Sequence, residues 1–339
     1  MSGTVVPAPT RAGGSALRAI AGIDIGGTKI SAVLADDRGN VLVRGAVPAP
    51  ARDGGEAMSD AAADLVARLA AESGATVTAA GVGAAGVIDQ TTGVVVAASA
   101  TFADWAGFPL GAALSARLSV PVSVENDVNA FLLGELRWGA AAGERNVLGI
   151  MLGTGVGGAI VLDGALHHGA NGAAGEIGHI PGFGDLVCTC GQTGHLETLA
   201  SGTSVSLRYA ELTGERRPAP EIADRARAGE EAAISVLDAA GRAVALASSV
   251  TASLLDLDLV VVGGGLAGAW DVMEPAVLRT LRTDAPVSGF PLRIIPAALD
   301  GDVVALGAAA LAASPLDDGS LSAFRSEASS TVPVPARQE

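Results

Sequence analysis

The feature of this sequence that most restricts its fold is a segment that occurs twice, once near the start of each half. Residues 22–36 read GIDIGGTKISAVLAD and residues 149–163 read GIMLGTGVGGAIVLD, with five identities at an offset of 127 positions. Hydrophobic residues match at most other positions, and each copy reads as a strand, a glycine-rich turn and a second strand. Five identities among fifteen glycine-rich positions can arise by chance, but their place in each half favours a duplicated unit.

The rest of the chain fits two α/β units. Its 339 residues exceed the usual size of one hydrophobic core, which predicts two domains of about 150 residues each. Short β-branched runs alternate with alanine-rich segments of helical period, such as residues 56–72 and 230–255, and this alternation is typical of α/β folds. Residues 1–18 and 315–339 are rich in small and polar residues without period, so we expect both to be disordered.

Charge and hydropathy exclude several classes of function. The formal net charge of −15 repels polyanions and argues against nucleic acid as a partner. The longest apolar stretch, residues 243–262, is interrupted by serine and aspartate, so we expect no membrane-spanning helix and no membrane partner. The N-terminus lacks the apolar core of about 7 to 15 residues of a secretory signal, so we expect a cytoplasmic protein.

The two glycine-rich turns are candidate phosphate-binding loops. In the first, Asp24 ends a strand, residues 26–28 form the turn, and Lys29 opens the next strand. Glycines let a phosphate approach the backbone, the turn amides form an anion nest, and Asp24 can meet the magnesium that ATP carries. An ordinary hairpin turn explains either copy alone equally well. The presence of one copy in each half favours nucleotide binding.

Two matches to the GxGxxG dinucleotide pattern, at residues 153–158 and 263–268, raise an oxidoreductase as an alternative. A strand follows the first match where the fingerprint requires a helix. The second lies late in the chain with no complete Rossmann half after it, so we interpret it as a nucleotide-contacting loop. The residues expected to bind ATP are Asp24, Gly26, Gly27, Thr28, Lys29, Gly153, Thr154, Gly155, Gly157, Gly264 and Gly265.

A polar cluster and a metal-ligand cluster complete the candidate site. Residues 125–129, ENDVN, lie between a short strand and a helix, with Asp127 at the helix start; a helix cap needs one polar residue, not this many. Residues 176–197 hold both cysteines and half of the histidines. One residue between cysteines is poor disulfide geometry, whereas thiolates and imidazoles suit zinc. The predicted ligands of a structural zinc ion are His179, Cys188, Cys190 and His195.

Four protein ligands leave no open position on zinc, so the ion would shape the segment and take no part in the chemistry. Glu176 and Glu197 are then left for substrate. His167 and His168 lie in a glycine-rich stretch, and we interpret them as solvated loop residues.

From about Ile20 to Ala313, the chain resembles the ROK family of bacterial sugar kinases and repressors. The motifs that carry the resemblance are DIGGTK, GVGAAGVID, VENDVNA, LGTGVGG, GEIGH, CTCGQTGHLE and VVVGGGL. The resemblance implies the actin-like ATPase fold, a duplicated ribonuclease H-like arrangement with an active-site cleft between two α/β lobes. We expect a small lobe of residues 19–124 with 300–314, a larger lobe of residues 125–299 that contains the zinc segment, and a homodimer.

The resemblance also implies roles for individual residues. Asp127 would be the catalytic base that takes the proton of the sugar hydroxyl. The residues implied at the sugar are Asn126, Glu176, His179, Glu197 and Gly86. In the family, the histidine that matches His179 serves both zinc and sugar, so zinc would orient a substrate ligand.

The sequence departs from the family pattern at three places. His195 stands where a third cysteine is usual, Ala85-Gly86 where Pro-Gly is familiar, and Thr101-Phe102 where many members have Asn-Leu. Because that asparagine contacts the sugar in the family, the third departure bears on which hexose fits.

We therefore expect an ATP-dependent hexose kinase, with glucose to glucose 6-phosphate as the leading reaction. N-acetylmannosamine, N-acetylglucosamine and fructose are alternative substrates, and a non-catalytic sugar sensor is a further alternative. A repressor of the family carries a winged helix-turn-helix before the core, whereas only about 20 residues precede the segment GIDIGGTK here, too few for three helices. The acidic charge also opposes DNA binding.

Overall fold

The computed structural model of the protein describes residues 17–99, 101–299 and 301–313. The predicted disordered tail, residues 315–339, lies outside the described residues, as do residues 1–16 of the predicted disordered N-terminus. Arg18, which we assigned to that N-terminus, is instead the first residue of strand β1. The reason is a parallel pairing of Arg18 with Thr76, which extends the strand to this residue.

The first half of the chain forms a five-stranded sheet. Its members are β1 (Arg18–Ile25), β2 (Lys29–Ala35), β3 (Val41–Pro48), β4 (Thr76–Ala84) and β7 (Val122–Asn126), with β5 (Val87–Asp89) and β6 (Val94–Ala97) in a separate ribbon. The order is β3-β2-β1-β4-β7. Neighbours among the first three strands are antiparallel, whereas β4 and β7 run parallel to β1. Helices α1 (Gly54–Ser73) and α2 (Leu110–Leu118) contribute to the hydrophobic core on one face.

The second half forms a sheet with the same plan. Its strands are β8 (Val147–Leu152), β9 (Val156–Leu162), β10 (Ala165–Leu166), β11 (Leu259–Gly263) and β12 (Arg293–Pro296). The order is β10-β9-β8-β11-β12, and the antiparallel and parallel pairs fall at the same places as in the first sheet. Strands β1 and β8, on which the repeated segment begins, occupy corresponding positions. The duplicated α/β architecture is therefore confirmed.

The helices predicted from periodicity are present. Helix α1 covers residues 56–72, and α7 (Glu231–Leu255) covers nearly all of residues 230–255. By length and composition α7 would suffice for a membrane span, but 61% of its most apolar window is buried inside the structure, as in a core helix. The remaining helices of the second half are α4 (Glu197–Ala200), α5 (Gly202–Thr213), α6 (Ala219–Arg227) and α8 (Trp270–Thr283).

Two helices connect the two sheets by very close packing. Helix α3 (Asp127–Trp138) leaves the end of β7 and packs on β8 and β9, and α9 (Val303–Ala312) packs on β1, β4 and α3. A Cβ atom at Gly307 of α9 would overlap the carbonyl of Ala130 in α3. The helix backbones therefore touch at a position that only glycine can occupy.

We predict that Gly307→Ala destabilises the protein although alanine is the better helix former by about 1 kcal/mol. The added methyl must push α3 and α9 apart, and overpacking of this kind costs about 1 to 3 kcal/mol. Thermal or urea denaturation measures the change. Gly268→Ala is the matched control, since nothing lies within 4 Å of a Cβ there. Equal stability of Gly307→Ala and wild type would contradict the prediction.

Candidate active site

The candidate catalytic carboxylate stands where β7 becomes α3. Asn126 caps the helix, because its side-chain oxygen accepts hydrogen bonds from the backbone N–H groups of Val128 (2.9 Å) and Asn129 (3.2 Å). Its side-chain NH₂ donates to the carbonyl of Gly86 at 3.0 Å. Asp127 is the first residue of the helix and accepts a hydrogen bond from the Val128 N–H at 3.0 Å. Since Asn126 performs the capping, Asp127 is not needed for it.

The surroundings of Asp127 raise its affinity for a proton. Burial, and secondarily the negative charge of Asp24, raise the pKa of Asp127 to about 6. Burial also raises the pKa of Asp24, opposed by a hydrogen bond of 3.3 Å that the Ser31 hydroxyl donates to its carboxylate. Two carboxyl groups with raised pKa values therefore lie at the ends of β1 and β7 in the first sheet, and such groups are common at catalytic sites.

Both glycine-rich segments are strand, turn and strand, as predicted. The first turn joins Ile25 of β1 to Lys29 of β2, and the Gly26 N–H donates to the Lys29 carbonyl at 3.1 Å. The second joins β8 to β9, with the Gly153 N–H bonded to the Gly155 carbonyl at 2.9 Å. A strand therefore follows the first GxGxxG match, and the context that argued against a dinucleotide fingerprint is confirmed.

A cavity of about 410 Å³ opens beside the second turn. Three of the predicted nucleotide residues line it, namely Gly153, Thr154 and Gly265. The first turn of α5 contributes Gly202 and Thr203, and Arg216 lies on the connection from α5 to α6. The cavity therefore combines exposed backbone, a helix N-terminus and a cation.

Other predicted nucleotide residues lie outside this lining. A Cβ at Gly157 would be 2.6 Å from the Val128 side chain, and one at Gly264 would be 2.6 Å from the Leu152 carbonyl. These glycines allow the second turn to pack against α3 and β11. Asp24, Gly26, Gly27, Thr28 and Lys29 form or flank the first turn, which is not part of the cavity.

The four predicted metal ligands come together. One ligand atom from each of His179, Cys188, Cys190 and His195 lies within 4.8 Å of all the others. Backbone hydrogen bonds hold the two ends of this segment together: the Leu196 N–H donates to the Ile180 carbonyl at 3.2 Å and the Phe183 N–H donates to the Gly194 carbonyl at 2.8 Å.

The spacing of the ligand atoms fits a zinc ion. Ligands of tetrahedral zinc are about 3.3 to 3.8 Å apart, given bonds of about 2.0 to 2.3 Å. The His179 and His195 Nδ1 atoms are 3.3 Å apart, the Cys190 Sγ is 3.3 Å from the His195 Nδ1, and the Cys188 Sγ is 3.8 Å from the His179 Nδ1. Two imidazoles and two sulfur atoms are a donor set that zinc accepts.

Each histidine turns its second nitrogen to a polar partner outside the cluster. The His195 Nε2 is 3.1 Å from the side-chain oxygen of Gln192, which favours a proton on Nε2 and a free lone pair on Nδ1. The His179 Nε2 faces the carboxylate of Glu176 at 3.9 Å. His179 therefore connects the cluster with one of the predicted sugar ligands.

Residues 179–195, which carry the four candidate ligands, are here called the metal segment. Glu197 connects the metal segment with the second glycine turn. Its carboxylate is buried and accepts hydrogen bonds from the Val156 N–H at 3.0 Å and from the Thr189 hydroxyl at 2.6 Å. A side chain at Gly155 would overlap this carboxylate. Glu176, in contrast, is exposed.

The interpretation of His168 as a solvated residue is wrong. Its Nε2 is 2.8 Å from the carboxylate of Glu125, whose side chain is only 3% exposed. The two residues are 43 positions apart in sequence, so no local pattern pairs them. His167 is exposed, as expected.

Two residues of the cavity, Arg216 and Thr203, were not predicted from the sequence. The sequence Ser201-Gly202-Thr203 is a helix-start signal that could have drawn attention to α5.

Comparison with known proteins decides the family. The family model described as ROK family matches residues 20–314. The chain belongs to the ROK family. It is 35% identical to a glucokinase of Halalkalibacterium halodurans (74% of this chain, 82% of the relative) and 33% identical to an N-acetyl-D-glucosamine kinase of Haemophilus influenzae (77% and 88%).

A solved structure of this ROK family is similar over nearly its whole length. It is a ROK family glucokinase from Streptomyces griseus in complex with glucose and AMPPNP, 32% identical, with a TM-score of 0.75 over 87% of this chain and 99% of that one. The predicted actin-like ATPase fold with a cleft between two lobes is thereby confirmed.

Proposed function

We propose that the protein is an ATP-dependent hexose kinase that converts glucose to glucose 6-phosphate. The observation that carries the proposal is Asp127, whose pKa is raised to about 6 beside Asp24 at the start of α3. Membership of the ROK family and the 35% identity to a glucokinase support this substrate. The proposed lobes are residues 19–124 with 300–314 and residues 125–299, which the two sheets and the packing of α9 support.

In the proposed reaction Asp127 accepts the proton of a sugar hydroxyl. The oxygen of that hydroxyl attacks the γ-phosphorus of ATP, and the bond between the γ-phosphorus and the oxygen that leaves with ADP breaks. Phosphoryl transfer depends mainly on alignment and on neutralisation of charge. A carboxyl group with a pKa of about 6 is ionised at neutral pH and remains basic enough to accept the proton. Asp24 would hold the magnesium ion that accompanies ATP and neutralises phosphate charge.

The cavity beside the second turn supports a nucleotide site. In a chain of net charge −15, an ATP site needs local positive potential. Within the described part of the chain, the guanidinium of Arg216 has no carboxylate partner. The N-terminus of α5 adds the N–H group of Thr203 and the positive end of a helix dipole, while the Gly202 N–H donates to the Gly153 carbonyl at 2.8 Å. Pro218 and Pro220, which are exposed in the lining, offer apolar surface for the base.

The sugar would lie between Asp127 and the metal segment, with Asn126, Glu176, His179, Glu197 and Gly86 as its proposed ligands. Zinc held by His179, Cys188, Cys190 and His195 would fix the His179 ring, whose Nε2 points toward Glu176. The hydrogen bonds of Asn126 to the α3 backbone and to Gly86 leave one of its amide hydrogens for a substrate.

An N-acetylglucosamine kinase is the second candidate, because relatives of that name are 32% to 35% identical. Thr101, at the position of the usual asparagine, packs against the first turn: a Cβ at Gly27 would be 2.8 Å from its methyl carbon. ADP release over a panel of hexoses and N-acetylhexosamines separates the two candidates.

We further propose that the protein is a cytoplasmic homodimer without nucleic-acid or membrane partners. The acidic charge supports the absence of a nucleic-acid partner, and the burial of α7 supports the absence of a membrane partner.

We predict that Asp127→Asn lowers kcat by about 10²- to 10⁴-fold, the usual contribution of a general base. In the wild type, kcat/KM for glucose should fall about tenfold per pH unit below about pH 6, because the base becomes protonated there. Coupled ADP-release assays from pH 5 to pH 8 measure both effects. Asp64→Asn, an exposed aspartate on α1, is the matched control. A variant at position 127 with wild-type turnover refutes the assignment.

We predict that Arg216→Ala raises KM for ATP by about tenfold and leaves KM for glucose within twofold. A hydrogen bond to a charged group contributes about 1.5 to 3 kcal/mol, part of which water replaces at an exposed site. Steady-state kinetics with each substrate varied in turn test this. The control is Arg282→Ala, an exposed arginine on α8. An unchanged KM for ATP would remove Arg216 from the nucleotide site.

We predict one zinc ion per chain in purified protein, lost on Cys188→Ala and on His195→Ala, because each removes one of four ligands. Plasma emission spectroscopy after desalting measures the metal content. His167→Ala should retain zinc, since it removes an exposed imidazole outside the cluster. Stoichiometric zinc in both ligand variants would exclude this ligand set.

A further inference from the structure

Glu125 is a buried acid for which the proposed reaction has no use. It is the residue of β7 that precedes Asn126, and one carboxylate oxygen accepts hydrogen bonds from the Asn126 N–H at 2.8 Å and from the Asn129 side chain at 3.0 Å. The other oxygen is 2.8 Å from the Nε2 of His168. Burial of a carboxylate is costly unless each oxygen has a partner, so the contact with His168 completes a satisfied set.

His168 belongs to the other side of the site. It follows β10 in a loop of residues 167–176 that ends at Glu176, one of the proposed sugar ligands. The loop is tied to the second sheet by the His167 N–H, which donates to the Ile160 carbonyl at 2.8 Å. It is closed on itself by the Ala174 N–H, which donates to the His168 carbonyl at 3.1 Å.

The pair of His168 and Glu125 is therefore a direct side-chain link between two parts of the candidate site. One part is the strand end and helix start that carry Asn126 and Asp127; the other is the loop that carries Glu176. A sugar bound at this site would have to contact both parts at once. Their relative position decides whether its hydroxyl reaches the base.

We propose that His168 is a positioning residue for phosphoryl transfer: its hydrogen bond to Glu125 holds the Glu176 loop in register with Asn126 and Asp127. The inference rests on the proposed kinase function. His168 itself touches neither base nor phosphate. It acts by fixing the loop, and a misplacement of about 1 Å of a substrate can cost about 10²-fold in rate.

The link requires a donor at the position of the His168 Nε2. Alanine removes the donor and leaves one oxygen of the buried Glu125 without its partner. Glutamine presents a side-chain N–H at a similar distance from the backbone, so it can restore the hydrogen bond without the ring. The hydrogen bonds of Glu125 to Asn126 and Asn129 remain in both variants, so the start of α3 should persist.

The test is steady-state kinetics of the full chain with Mg-ATP and glucose. We expect His168→Ala to raise KM for glucose and lower kcat, each by about tenfold, with KM for ATP unchanged within twofold. His168→Gln should recover most of both losses. His167→Ala, which removes the exposed neighbour in the same loop, should match the wild type.

A double-mutant cycle with Glu125→Gln separates positioning from independent effects. If the two residues act through one contact, the double variant His168→Ala with Glu125→Gln should be no slower than the slower single variant. Additive losses would overturn the proposal. Wild-type kinetic constants for His168→Ala, corrected for folded protein by circular dichroism, would overturn it as well.

The outcomes distinguish this proposal from the proposed function. Absence of hexose-dependent ADP release by the wild type refutes the kinase function and this proposal with it. An active wild type with unaltered His168→Ala kinetics refutes the positioning role alone. If His168→Ala does not fold, the variants His168→Gln and Glu125→Gln provide the test. Near-wild-type kinetics of His168→Gln together with a raised KM for glucose in Glu125→Gln support the link. Wild-type kinetics in both variants overturn it.

Discussion

The packing of α3 between the two sheets is the constraint on which the rest of the site depends. The helix begins at the end of β7 in the first sheet and packs its residues Phe131 and Leu132 against Gly149 of β8 in the second. One residue after Asp127, Val128 fills the space that the missing side chain of Gly157 leaves in β9, just after the second turn. The same short stretch therefore fixes the candidate base to one sheet and the second glycine turn to the other.

The metal segment provides a second set of contacts to the second turn. Glu197 accepts hydrogen bonds from the Val156 N–H of β9 and from Thr189, which lies between the two cysteines. A buried carboxylate with two donors has little freedom to move, because each hydrogen bond that it loses leaves a desolvated charge. The second turn and the start of β9 are thus held both by α3 and by the metal segment, so a displacement of either one would displace the turn.

The sequence was sufficient to predict features that depend on local pattern. The repeated segment predicted two related sheets, because a strand, a glycine turn and a strand must recur in the same structural place. The clustering of the proposed metal ligands was predictable because three of them lie within eight positions, Cys188 to His195, where a tight loop must bring them together. The hydrogen bond between His168 and Glu125 was not predictable, since it forms only when the two halves of the chain meet.

Glycines show a second physical limit of sequence reasoning. A turn that binds phosphate and a turn that packs closely against a helix both require the absence of a side chain. Gly153 lines the cavity, whereas Gly157 receives Val128, and the motif LGTGVGG contains both without distinguishing them. Only the position of the neighbouring helix separates the two roles.

The exchange of the usual third cysteine for His195 has an electrostatic consequence at the proposed zinc site. Zinc with two thiolates and two neutral imidazoles carries no formal net charge, whereas three thiolates and one imidazole carry a charge of about −1 by the charges of the ligands. The cluster adjoins Glu197 and Glu176 in a chain that already carries 36 acidic residues against 21 basic ones. A further negative charge there would oppose the approach of ATP. Since the contact of His195 with Gln192 favours the tautomer whose Nδ1 has a free lone pair, the histidine would replace a cysteine ligand without its negative charge.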